Sequence, residues 1–282
     1  MYNQDRSVFI PGAHMRELLK ELGASDADLD AIQHVSDDLP EDPTLPFRQS
    51  KNGRFCYDFD KKVIFRGEFQ PFVLSAEEDF VRHDSGQARR FAEIGNDLQL
   101  NSALHALLRF NAFMVQGLDI VPRTGLDYTR NRWVCTLFNL RTITTTQLVG
   151  EPALEGVHTD GVDHTMTTLL GSRNLRDDSA VTFIHDMREK NATRYDQVDP
   201  NLVINRYQHR HFLDTVLIAD HQRKHSLSPV MGRDDQQRST RDMLIFFTRK
   251  PAAPGHVSYP HDSLRRHVAL PLCIELALPG RG

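Results

Sequence analysis

His158 and Asp160 stand two apart in the stretch Glu155-Gly156-Val157-His158-Thr159-Asp160-Gly161-Val162-Asp163. On an extended backbone, residues two apart project to the same side. An imidazole nitrogen and a carboxylate oxygen then converge on one small ion. A second imidazole would complete a two-histidine, one-carboxylate face with open coordination positions, a donor set suited to Fe(II). The triplet alone is a weak signal, since chance and surface hydrogen bonding also produce it.

The third ligand must return from a later segment. Of the 14 histidines in the chain, His209, His211, His221 and His225 all have the right chemistry. Context orders them. His209 and His211 sit in a polar, basic run with Arg206 and Arg210 and are expected to face solvent. His221 lies in the polar turn Asp220-His-Gln-Arg-Lys224. His225 follows that turn and opens Ser226-Leu-Ser-Pro229, where proline ends the strand, and it is the favoured third ligand. Beyond it, Arg241 leads into the apolar run Asp242-Met-Leu-Ile-Phe-Phe247. An arginine entering a core strand is costly unless a carboxylate meets its planar fork. That carboxylate is either a bound anion or a structural Asp242 or Asp214. Arg238 is the other candidate for the anion-binding role.

The elements that must position these groups follow from pattern. Pro11 to about Leu39 reads as one or two helices, with Met15, Leu18, Leu19 and Leu22 at helical spacing and a stop at Gly23. Phe55, Tyr57 and Phe59 alternate with polar residues, then Val63 and Phe65 follow, a hairpin pattern. Ser75 with Glu78 resembles a helix-starting capping box. Asn101 to Gln116 carries Leu104, Leu107, Leu108, Ala112 and Val115 on one helical face. From about Arg132 short strands follow without helices between them: 133–143, 163–170, 181–184, 215–218 and 243–247. This predicts antiparallel sheets in a sandwich or jelly roll, with a helical part to about residue 120 packed on it. Trp133, Phe138 and the Phe246-Phe247 pair are expected in the core.

Length and composition agree with a globular chain. It has 282 residues, 39% hydrophobic and 26% charged, with a net charge of -4 and 3 cysteines without CxxC pairing. The charge offers no footprint for nucleic acid. Odd, dispersed cysteines suggest a reducing compartment. No apolar segment of about 18 residues is present and the N-terminus lacks a signal pattern, so no membrane partner and a cytoplasmic location are expected. Oligomeric state cannot be read from the sequence.

His158-x-Asp160, a distal His225 in a His-x-x-x-Pro setting and Arg241 together resemble the 2-oxoglutarate/Fe(II)-dependent dioxygenase superfamily. The wider set narrows the resemblance. Residues 155–163, Arg173-Asn174 and Leu213-Asp214-Thr-Val-Leu-Ile-Ala-Asp220, with Pro229-Val230 after His225, are similar to the branch of L-isoleucine 4-hydroxylase and related free-amino-acid hydroxylases. The match covers roughly residues 133 to 248. His164 departs from it, standing where an aromatic residue such as Phe is expected.

That resemblance implies a mainly β fold: a double-stranded β-helix, or jelly-roll, core with a helical N-terminal part. One dioxygenase domain over 1–282 would comprise a helical part with a hairpin (1–120), the core (121–260) and a C-terminal segment (261–282). His158, Asp160 and His225 would hold Fe(II), and Arg241 would pair with the 5-carboxylate of 2-oxoglutarate. With dioxygen, an aliphatic carbon of a free L-amino acid or close derivative would be hydroxylated, releasing succinate and CO2. A carrier-tethered or peptidyl amino acid, or a cupin-like metal-binding protein without oxygenase activity, are the alternatives. Related halogenases have Gly or Ala where Asp160 stands, so the carboxylate argues for hydroxylation. For substrate contacts the sequence offers Arg141, if it turns inward from the strand before the metal motif, and Asp163 beside that motif. Polar residues around His164 suggest a polar substrate side chain as readily as an aliphatic one, and a role in specialised biosynthesis.

Overall fold

The alternating stretches become strands that pair almost entirely antiparallel. The structure is a computed structural model that describes residues 2–78 and 80–276. In chain order the elements are α1 (Tyr2–Asp5), β1 (Ser7–Ile10), α2 (Gly12–Glu21), α3 (Asp26–Ala31), β2 (Arg48–Asp58), β3 (Val63–Arg66), β4 (Ala92–Glu93), α4 (Asn96–Gln99) and α5 (Ser102–Gln116). There follow β5 (Arg132–Thr144), β6 (His164–Arg173), β7 (Val181–His185), β8 (Val203–Gln208), β9 (Thr215–Ala219), β10 (Lys224–Leu227), β11 (Ser239–Arg249) and β12 (Cys273–Glu275). The major sheet runs β1-β9-β6-β11-β5-β2-β3-β12, with β4 parallel beside β2. A second sheet of 3 strands runs β10-β7-β8. This is the mainly β, antiparallel jelly-roll architecture that the strand pattern predicts.

The period of two divides the major sheet into two working faces. On one, Trp133, Cys135 and Leu137 of β5 and Leu244 and Phe246 of β11 join Phe55 and Tyr57 of β2 in the main core. The apolar stripes of α2 and α5 (Met15, Leu19, Leu104, Leu107, Leu108) cover that face. The cap of α5 is local chemistry: Asn101 Oδ1 accepts from the backbone N–H of Ala103 and Leu104 at 2.9 and 3.3 Å. On the other face, even-numbered residues of β5 and odd-numbered residues of β11 line a cleft toward the small sheet.

Three expectations need correction. Ser75 and Glu78 do bond, Ser75 N to Glu78 Oε2 at 3.1 Å, but they start a single 3-10 turn over Ala76–Glu78, not a helix. The residues before 120 are not merely a helical layer, because β1–β4 extend the major sheet itself. Phe138 and Phe247 sit in the cleft, not in the core with Trp133 and Phe246. Of the expected C-terminal segment, 261–276 is described, including β12; residues 277–282 lie outside the described residues.

One buried carboxylate ties the helical layer to the sheet. Asp214, just before β9, accepts from Gly12 N at 2.7 Å and from Arg210 N and His211 N at 2.8 Å each. Only glycine fits at position 12, where a Cβ would lie 1.9 Å from Phe212 O. Hydrogen bonds to a buried charge contribute about 1.5–3 kcal/mol. Asp214→Asn, which presents an amide N–H to these donors, is therefore expected to lower stability by about that much. Urea unfolding should show a lower midpoint at unchanged slope; an unmoved midpoint would show that the tie is dispensable.

Candidate metal centre and cleft

Two backbone hydrogen bonds set the positions of the histidines. His158 N donates to His225 O at 3.0 Å and His225 N to His158 O at 2.9 Å, an isolated antiparallel bridge that brings the two rings to 4.3 Å between centroids. Asp160 is fixed separately: its N–H donates to Asp220 Oδ2 at 2.8 Å, and Thr165 Oγ1 donates to its Oδ2 at 2.7 Å. Asp160 Oδ1 then lies 3.3 Å from His158 Nε2, and Oδ2 lies 3.5 Å from His225 Nε2. One donor atom from each of the three residues falls within 4.8 Å of the others. All three residues are buried.

The donor set fits a divalent ion. His158 Nδ1 donates to Gly156 O at 2.8 Å, which leaves Nε2 toward Asp160. Gly156 adopts φ +77, and a Cβ there would meet Thr193 O at 2.5 Å, so the carbonyl that orients His158 requires glycine. His225 Nδ1 faces Asp220 Oδ1 at 3.8 Å, and neither atom has a hydrogen-bond partner. A carboxylate behind a ligand histidine is the usual orienting arrangement at metal sites. Burial opposes charge on His158, but Glu155 and Asp160 outweigh it and lift its pKa to about 9. Burial likewise opposes charge on Asp160, yet His225 and His158 hold it down at about 2. Burial pushes His225 down to about 3. A divalent ion held by these three donors would take the place of any proton on His158 Nε2.

Arg241 lies in the same cleft, buried on β11. The structural carboxylates suggested for it are not its partners: Asp214 serves Gly12, and Asp242 serves Arg141. Its contact is with a histidine, Arg241 Nη2 lying 3.3 Å from His209 Nδ1, while its Nε has no partner. His209, expected at the surface, is buried, and its Nε2 lies 3.2 Å from Thr167 O. Burial, then the charge of Arg241, lowers its pKa to about 3, so Nδ1 accepts from the arginine while Nε2–H donates to Thr167 O. Burial also brings Arg241 down to about 10. A buried guanidinium without a carboxylate calls for an anion. Arg238 is exposed and does not line the cleft.

Both substrate contacts expected from the sequence fall outside the cleft. Arg141 pairs across the β5–β11 ladder with Asp242, at 2.6 and 2.7 Å, and with Asp37 at 3.1 Å. Odd-numbered β5 residues face away from the cleft, and Asp242 draws the arginine to that side. Asp163 is wholly buried, accepting from Tyr128 Oη at 2.5 Å and Lys250 N at 2.9 Å. His164 also turns from the cleft, 2.9 Å from Tyr2 Oη and tilted against Trp133. It therefore says nothing about substrate polarity.

Sequence reasoning missed the cover. Phe72, Phe80, Arg82, Arg89 and Phe91 come from the irregular stretch between β3 and α4 and line the cleft with Arg48 of β2. Phe80 stands edge-on to His158 at 5.8 Å between ring centroids. Phe72, Phe91 and Phe247 surround Phe138 at 5.0, 5.0 and 5.7 Å. The available signal was a run of aromatics and arginines with neither helical nor strand period. The cavity at the base of the cleft has a volume of about 110 Å³.

The 2OG-Fe dioxygenase family profile matches residues 33–247. The chain belongs to this family. It is 47% identical over 277 residues to the bifunctional enzyme flvA of Aspergillus flavus, a match covering 98% of this chain and 34% of that protein. The chain thus spans about a third of that relative's length. It is 49% identical to the solved structure of the Fe(II)/(alpha)ketoglutarate-dependent dioxygenase TqaL, with a TM-score of 0.85 over 98% of this chain and 93% of that one. The structure of IDO from Bacillus thuringiensis shares the fold at a TM-score of 0.67, with 13% identity over 88% of this chain and 96% of that one. As a 2OG-Fe dioxygenase the protein is an enzyme using Fe(II) and 2-oxoglutarate, and a cupin-like protein without oxygenase activity is set aside.

His158→Ala, Asp160→Ala and His225→Ala are each expected to abolish Fe(II)-dependent turnover while circular dichroism stays that of the parent. Fe(II) affinity should fall by on the order of 100-fold or more, beyond the effect typical of orienting partners. Full turnover in His225→Ala would remove that residue from the ligand set.

Proposed function

We propose that the protein hydroxylates an aliphatic carbon of a free L-amino acid or close derivative, converting 2-oxoglutarate and dioxygen to succinate and CO2. In this reading His158, Asp160 and His225 hold Fe(II), and Arg241, steadied by His209, pairs with the distal carboxylate of 2-oxoglutarate. Bound iron supplies, with its cosubstrates, an oxidant able to break an unactivated C–H bond. The protein's own part is placement. Thr165 fixes the Asp160 carboxylate, Gly156 orients His158, and the Phe72, Phe138 and Phe247 wall limits water around the target carbon.

The carrying observation is the shared cleft: a metal-binding face, a buried arginine lacking a carboxylate, and an apolar wall with charged groups of both signs beside it. A small substrate with an apolar side chain and charged head suits such a lining. With His164 turned away, an aliphatic side chain is favoured over a polar one. We further propose that the described chain works as a single domain, with the stretch between β3 and α4 covering the cleft. No described helix is long and apolar enough to cross a membrane; a cytoplasmic location and a biosynthetic role belong to the same proposal.

Arg241→Ala is expected to raise the apparent KM for 2-oxoglutarate by the equivalent of about 1.5–3 kcal/mol, the scale of hydrogen bonds to a charged group. An unchanged KM would place the cosubstrate elsewhere. The substrate class is tested with the proteinogenic amino acids, ornithine and citrulline, supplied with Fe(II), 2-oxoglutarate and ascorbate. Mass spectrometry should find one oxygen gained by at least one free amino acid. Succinate release coupled only to a peptidyl or carrier-tethered amino acid would reject the free-substrate reading.

A further inference from the structure

Four arginines line the cleft, and their partners separate them. Arg48 Nε donates to Asp42 at 2.8 Å, and Arg82 grips Asp84 with two hydrogen bonds at 2.5 and 2.6 Å. Arg241 faces the cosubstrate in the reading above. Arg89 is different. It is 7% exposed, its nearest carboxylate oxygen, on Asp84, is 3.7 Å away, and its Nε and Nη2 have no partner. Its position is nevertheless firmly fixed. Arg89 and Phe72 exchange backbone hydrogen bonds at 2.9 and 3.0 Å, and its guanidinium lies 5.3 Å from the Phe72 ring centroid and 5.5 Å from that of Phe80. The edge of Phe80 in turn meets the His158 ring. Arg89 is thus a preorganised, desolvated fork one aromatic ring removed from the metal face.

Glu155 stands on the metal side of the same cleft, largely buried, with Oε1 3.2 Å from His158 Nε2. A metal on Nε2 would leave that oxygen without its present partner and open to the cleft. The same cleft is walled by Phe72, Phe91, Phe138 and Phe247.

We propose that Arg89 and Glu155 form the receptor for the head of a zwitterionic α-amino acid, Arg89 taking its carboxylate and Glu155 its ammonium, with an apolar side chain laid against the phenylalanine wall. The assignment rests on the amino-acid reading above and adds the residues that would hold the substrate. The free carboxylate is the discriminating feature, since a planar fork with unpaired donors rejects a ligand lacking the matching acceptors.

The test is equilibrium binding to the enzyme loaded with Fe(II) and 2-oxoglutarate in the absence of dioxygen, using calorimetry. The probes are L-leucine, L-isoleucine, L-valine and L-methionine, then the primary amide and the des-amino acid of the tightest binder. In the parent enzyme both analogues are expected to bind at least tenfold more weakly. Arg89→Gln should weaken the amino acid at least tenfold, leave the amide unchanged, and keep 2-oxoglutarate affinity, read from the charge-transfer absorption, within twofold. Glu155→Gln should weaken the amino acid but neither the des-amino acid nor Fe(II). An amide bound as tightly as the acid overturns the proposal even if neither variant folds. So does a loss of 2-oxoglutarate affinity in Arg89→Gln with the amino acid unaffected, or a loss of Fe(II) affinity in Glu155→Gln. If the parent hydroxylates a free amino acid whose affinity Arg89→Gln leaves intact, this assignment alone fails. If the parent binds only aminoacyl thioesters, the free-amino-acid reading fails with it.

Discussion

The reciprocal backbone pairing of His158 with His225 is the constraint on which the rest of the site depends. Each of its hydrogen bonds contributes only about 0.5–1.5 kcal/mol net, so their importance lies in register more than in stability. A slip of one residue on an extended backbone sends a side chain to the opposite face. Here it would take an imidazole out of the ligand set. Asp220 reinforces the same register from behind, accepting from the backbone of Asp160 while its other oxygen faces His225. The loop after β9 thereby sets two of the three donors at once.

The second constraint is the two-residue period of β5 and β11. Phe138, Leu140 and Thr142, and Arg241, Met243, Ile245 and Phe247, fall on the cleft face because they alternate with residues committed elsewhere. Those others have definite partners. Asn139 Nδ2 donates to Val35 O at 2.8 Å, Arg141 holds Asp242, and Phe246 packs into the helical core. A cleft built this way is stiff, since turning any lining residue would also break the opposite face. Stiffness would serve the proposed reaction, which must discriminate among similar C–H bonds.

The same two constraints decide what could be read in the sequence. His158 and Asp160 were legible because two residues that close in sequence are related by local geometry alone. His225 and Arg241 were legible from strand context and order. Arg141 was misplaced because parity gives two faces but does not say which is the cleft; its cross-strand partner Asp242 decides that, and the pairing is a property of the ladder. His209 was misjudged because a basic neighbourhood in sequence says little about a residue whose contacts, Thr167 and Arg241, lie on other strands. Residues 69–78 and 80–91 were opaque for a deeper reason. They have little regular structure, and their positions come from contacts such as Phe72 with Arg89 and Thr159 Oγ1 with Glu78 O at 2.9 Å.

Burying a guanidinium is costly unless its donors are met, so its partners indicate what it is for. Arg249 meets Asp262 at 2.9 Å through two nitrogens, Arg54 meets the same carboxylate, and Arg66 meets Glu93 at 2.9 Å. These serve the fold: each carboxylate comes from a distant segment and fastens it. Arg241 and Arg89 lack that closure among the described residues, and both face the cleft. Two incompletely met cations in one apolar space would repel and destabilise the empty protein unless something else repaid them. Anions arriving from solution do so only when bound, which links the stability of the cleft to its occupancy. In the proposed reading, a dicarboxylic cosubstrate satisfies one of the two and leaves the other for the molecule to be oxidised.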